Sequence, residues 1–251
     1  MNRVQSIILT STLCALGLTI LAEPPASSKA PIAPGPSSTA SSTRSVEGWT
    51  LHITQELLAK QKKAVDAAMP FLEKQLKEIV CVVPPAAVAK LREVPIFFTL
   101  PPKNSRGTAE YHPEAQWLRE NGRDAAMAKG VQVSDVANFE KETNRMPNFM
   151  LHELAHGYHD RVLTFEQPDI IAAYEHAKTA KLYDRVERSN GNGKPNTFER
   201  AYAMTDHKEY FAETTEAFFS RNDFFPFTHA ELAKHDPQMF AVLQRVWGVT
   251  K

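Results

Sequence analysis

Cysteine is nearly missing from this chain: Cys14 and Cys81 are the two thiols in 251 residues. So few exclude a disulfide scaffold and a Cys-x-x-Cys zinc ribbon. Glycine is scarce, at 10 residues, which excludes a collagen repeat or a Gly-rich loop architecture. An excess of one charge is missing too, since 29 Lys and Arg balance 29 Asp and Glu. Without a basic surplus the chain is a poor match for a phosphate backbone, so no nucleic-acid partner is expected. What is present is 43% apolar and 23% charged, a globular balance that supports a sizeable core.

Arg3 followed by an apolar run from Val4 to Leu21, with Ala22 and then Glu23-Pro24-Pro25, reads as a signal peptide over residues 1–22. A membrane anchor is the alternative, and the run is barely long enough to span a bilayer. Cleavage would leave no stable membrane span and would place the protein in an exported location, periplasmic or extracellular. Cys81, within Ile79-Val80-Cys81-Val82-Val83, is then expected to be a buried, inert thiol. Residues 23–45 are mostly Ala, Pro, Ser and Thr, too poor in large apolar side chains to offset ordering entropy, and are expected to be a disordered linker.

The folded domain is expected over residues 46–251. Trp49–Ile53 alternates like a strand, and Thr54 caps a helix to Ala68. Pro70 is expected to interrupt it before a second helix over 71–79. Val94–Leu100 and Val131–Val133 read as strands, and residues 101–125 as loop. Helices are expected over 138–163, 168–188, 206–220, 228–235 and 237–247, the last opened by Asp236-Pro237. Asn190-Gly191-Asn192-Gly193 marks a turn. The class is α+β, a small early sheet followed by a helical lobe.

Chemistry concentrates in His152-Glu153-Leu154-Ala155-His156. Histidines at i and i+4 on a helix stand on one face, the spacing of two zinc ligands. Glu153 lies beside them, placed to take a proton from a water that the metal acidifies. A catalytic zinc needs a third protein ligand and an open position. Glu175 stands 19 residues past His156, and Glu209 begins Glu209-Tyr210-Phe211-Ala212-Glu213. Glu209 is favoured, because Glu213 one turn on can support the second nitrogen of a ligating histidine. With Glu216 the two acids could instead form a solvated face. An oxyanion donor is also required. Tyr202 precedes Glu209 by seven residues, with His207 and Tyr210 as competitors.

Together, His152-Glu153-Leu154-Ala155-His156, Tyr202 and Glu209-Tyr210-Phe211-Ala212-Glu213 resemble the anthrax lethal factor-like metallopeptidases, a family that includes the Pro-Pro endopeptidases. The resemblance covers about residues 147–219. It implies a zincin-like fold and one Zn2+ held by His152, His156 and Glu209. It further implies Glu153 as the base, Tyr202 as an aid to the transition state and Glu213 in support of a zinc histidine. No receptor-binding or targeting domain is recognisable, so the toxin role is not implied. Segment 163–200 is longer than expected for the family.

The resemblance also implies a substrate strand on an edge above the active-site helix, for which Val131–Val133 stands out. The run Arg221–Phe227 could wall a pocket, although core packing is the commoner fate of such aromatics. The expected function is an exported zinc-dependent endopeptidase acting on a peptide or protein. The alternative is a catalytically weak, zinc-stabilised binding module for a cell-wall or matrix polymer.

Overall fold

A computed structural model describes residues 40–103 and 106–249. The expected signal peptide and most of the expected linker lie outside the described residues. The linker boundary needs correction, because strand β1 already runs from Ser41 to Val46. It pairs antiparallel with β2 (Trp49–Thr54) across a turn at Glu47-Gly48. Its side chains are mostly exposed, so its hold on the fold is the backbone ladder, to which composition is blind.

The chain is α+β. Among the described residues, β1 and β2 continue into β3 (Ile96–Phe98), β5 (Gly130–Val133) and β4 (Ala109–His112) in the order β1-β2-β3-β5-β4. β2, β3 and β5 run parallel, and β4 returns antiparallel along β5. β4 falls in the stretch read as loop, and it displaces Val131–Val133 from the edge: β5 is interior and fully buried.

Helix α1 (Gln55–Val82) starts at Thr54, whose hydroxyl accepts from Leu57 N–H. Leu57, Val65, Ala68, Leu72, Leu76 and Ile79 form its buried stripe. Pro70 does not interrupt it. That ring sits on the exposed face, where water can satisfy the carbonyl it leaves free, and the kink falls instead at Gln61. Cys81 is exposed, not buried, because the inward stripe passes through Ile79 and Val83. After α2 (Pro85–Leu91) and α3 (Ala115–Glu120), the expected helix 138–163 divides into α4 (Phe139–Thr143), α5 (Phe149–Tyr158) and a π-helical turn, His159–Leu163. α6 (Pro168–Thr179) ends earlier than expected, and a hairpin of β6 (Val186–Arg188) and β7 (Thr197–Glu199) follows. α7 (His207–Phe219), α8 (His229–His235) and α9 (Pro237–Val246) complete the lobe. No helix among the described residues is long and apolar enough to cross a membrane.

α5 packs against β4, α1 and α7. Its first turn is fixed by polar groups. Asn148 accepts from Leu151 N–H at 3.1 Å, and the buried Gln75 of α1 accepts from Met150 N–H at 3.0 Å. Gly157 lets the sheet side approach, since a Cβ there would stand 2.9 Å from Val94 and 3.3 Å from Tyr111.

His159 is fully buried against Phe165, Phe211 and His207. Neither ring nitrogen has a partner. Burial, with the nearby His207, His156 and Lys208, pushes its pKa down to about 3. The unfolded chain binds this proton below about 6.5 and the folded chain does not. This group's contribution is therefore lost as pH falls from 6.5 towards 3, by about 1.4 kcal/mol per unit. In urea titrations at pH 7 and pH 4.5, His159→Leu should lose less stability on acidification than the parent chain. An equal loss in both would place the acid sensitivity elsewhere.

Candidate metal centre

α5 carries His152 and His156 on the face turned to α7, and Asp206 sets the start of α7 by accepting from Lys208 and Glu209 N–H at 2.8 and 3.0 Å. These two helix starts bring three donor atoms together. His152 Nε2 lies 3.2 Å from His156 Nε2 and 3.1 Å from Glu209 Oε2, and His156 Nε2 lies 3.3 Å from the same oxygen. Donors held about 2.0 Å from a tetrahedral ion stand about 3.3 Å apart. The triangle therefore fits a metal ion, and these residues form a group that could hold one. Glu175, the alternative third ligand, is exposed on α6 beside Lys178 and belongs to no such group.

The donors open onto a cleft of about 700 Å³, bordered by β4 on one side and by Arg145, Asp223 and Phe224 on another. Glu153 lines it too, and its Oε2 accepts from the backbone N–H of Tyr111 at 2.8 Å. Burial raises the Glu153 pKa above the ordinary carboxylate range, against the pull of His152 and His156. Tyr202, half-exposed on a short helical turn before α7, brings its hydroxyl to 3.4 Å from Glu209 Oε1. Burial and the Glu209 charge push its pKa up to about 12, so the phenol keeps its proton at neutral pH. The other two oxyanion competitors are elsewhere. His207 bonds the Phe165 carbonyl, and Tyr210 is buried with its hydroxyl donating to Asp236.

Support for His152 corrects the sequence reading. Glu216 Oε1 lies 2.8 Å from His152 Nδ1, whereas Glu213 stands 3.9 Å away and accepts from Asn222 Nδ2 at 3.0 Å. Neither acid forms a solvated face; both are buried, because α7 is covered on every side from Tyr210 to Phe218. The spacing already contained the pair, since Glu209, Glu213 and Glu216 share one helical stripe. Burial raises both carboxyls, Glu216 to about 7. Burial opposes a charge on His152, but hydrogen bonds to Glu209 and Glu216 outweigh it and lift the imidazole well above its usual range.

No family model, curated protein or solved structure matches the chain.

A carboxylate behind a ligating histidine fixes its ring and raises its basicity, and its loss typically costs ten- to a hundredfold in metal affinity. Zinc titration against a competing chelator should show about that loss for Glu216→Gln and less for Glu213→Gln. The reverse order would return the supporting role to Glu213.

Proposed function

We propose that the chain is a zinc-dependent endopeptidase of the lethal factor-like, zincin type. The observation that carries this reading is the convergence of His152, His156 and Glu209 on one point of the cleft with Glu153 beside them. Two imidazoles and a carboxylate, with a further position facing the cleft, suit a catalytic zinc rather than a closed structural one. When bound, zinc supplies Lewis acidity towards water and the scissile carbonyl.

The side chains divide the remaining work. Glu153 holds Oε2 on Tyr111 N–H, leaves Oε1 to accept the proton of the attacking water, and later delivers it to the leaving amine. Tyr202 donates its O–H to the oxyanion that develops on the carbonyl. Glu216 keeps His152 in the tautomer that directs Nε2 at the metal. β4, as the edge strand, offers outward backbone groups along which an extended peptide can lie. A binding module that only uses zinc for stability has no need of Glu153 on the cleft wall.

Full-length protein loaded with zinc should cleave members of a diverse peptide library, read by mass spectrometry. Glu153→Gln should keep its zinc and lose about 10²- to 10⁴-fold in kcat. Tyr202→Phe should lose about 10²-fold with metal content unchanged. Cleavage by Glu153→Gln at the parent rate removes Glu153 as base. Absence of cleavage by the zinc-loaded parent favours the binding module. Glu209→Gln should weaken zinc binding and Glu175→Gln should not, by the same chelator competition.

A further inference from the structure

One part of the cleft, the chamber, has apolar walls. Phe139, Met146, Phe149 and Phe224 line it, and all are buried. The charges there are already matched. Arg145 donates to Glu142 and Met146 and reaches Asp223 Oδ2 at 2.7 Å. Arg188 gives its Nε to the same oxygen at 3.2 Å and lies over the Phe224 ring at 4.6 Å. Arg145, Arg188 and Asp223 are engaged with one another, so a charged substrate side chain that reached them would shed its water without gaining a free counter-charge from these three.

Arg188 belongs to the β6–β7 hairpin, which spans the two walls of the chamber. At its base, Ser189 N–H donates to the Asp223 carbonyl and Phe225 N–H to the Glu187 carbonyl, both at 2.8 Å. At its tip, Asn192 Nδ2 donates to the Lys141 carbonyl at 3.0 Å. Gly191, at φ +57°, sits so close to the other wall that a Cβ would stand 2.4 Å from the Asn144 carbonyl oxygen. The hairpin therefore ties segment 141–145 to segment 223–225, and both segments contribute to the cleft lining.

We propose that the β6–β7 hairpin is the specificity element of the enzyme. It forms an end stop, fixed by the clamp of Arg188 on Asp223. That stop admits one uncharged, apolar side chain of bounded length beside the scissile bond and turns away longer or charged ones. The proposal rests on the metallopeptidase reading.

Peptidyl hydroxamates that differ only in the side chain next to the chelating group test it without requiring turnover. Binding to zinc-loaded full-length protein is measured by calorimetry for isobutyl, benzyl, biphenylmethyl, carboxyethyl and aminobutyl members. The parent should prefer isobutyl or benzyl over the other three by at least about tenfold, the scale at which an apolar pocket discriminates. Arg188→Ala should gain about tenfold for biphenylmethyl. Zinc stoichiometry and the melting temperature report whether the variant folds. If it does not, Gly191→Ala, which forces the hairpin tip off segment 144–145, should give the same broadening. A flat panel in the parent, or an unchanged preference in a folded variant, overturns the proposal. If no hydroxamate binds to protein that carries zinc, the metallopeptidase reading falls and this proposal with it. A selective panel from a protein that cleaves no peptide sustains the end stop and removes only the catalysis.

Discussion

Two imidazole nitrogens and a carboxylate oxygen gathered at one point need a positive charge among them, a proton or a bound cation, and the contact between α5 and α7 is organised around that requirement. His152, His156 and Glu209 approach within 3.1–3.3 Å of one another. Such spacing demands that two helices keep their axial register to a fraction of an ångström. The polar caps meet this demand. Gln75 and Asn148 fix where α5 begins, and Asp206 fixes where α7 begins. The aromatic packing of Phe211 and Tyr158 against Trp247 fills the space behind them. The sheet then supplies the other border of the cleft through β4.

Legibility in the sequence followed the reach of each interaction. His152, Glu153 and His156 were readable because one helical turn contains them. Glu209 was readable because the stripe it opens is also local. Glu216 lies on that stripe, but its role is not legible there, since burial of α7 comes from α5, α6, α8 and α9 and has no local trace. The sheet shows the same limit. β2 carries its alternation in the side chains and stood out; β1, β4, β6 and β7 are short or half polar, and backbone pairing across long separations holds them. Residues 190–193 announced a turn, yet the strands on either side have three residues each, too few for a period of two to register. Pro70 misled in the opposite direction, because a proline on an exposed helix face breaks less than its sequence position suggests.

A row of buried polar side chains lies between the candidate metal centre and the Asp223 side of the cleft. Glu216 bonds His152, and Glu213, one turn before it, bonds Asn222, whose side-chain carbonyl accepts from Asp223 N–H at 2.9 Å. From the Asp223 carboxylate the row reaches Arg145 and Arg188. Every member except the two arginines is buried. Glu216 Oε2 is buried without a hydrogen-bond partner, so the row breaks between Glu216 and Glu213. The ring of His152 and the position of the hairpin are thus held by two separate hydrogen-bonded groups that lie side by side on one face of α7.

Gly157 follows His156 directly and faces Val94 and Tyr111. Tyr111 is also the residue whose backbone anchors Glu153. The clearance between the ligand helix and the bordering strand is therefore set by a side chain that is one hydrogen atom. A methyl group there would act as a shim, pressing on the Val94 side chain first and then on the Tyr111 ring. The spacing behind the cleft is thus written at a position outside its lining, where any larger side chain would have to displace Val94 and the Tyr111 ring, neighbours of the hydrogen bond that holds Glu153.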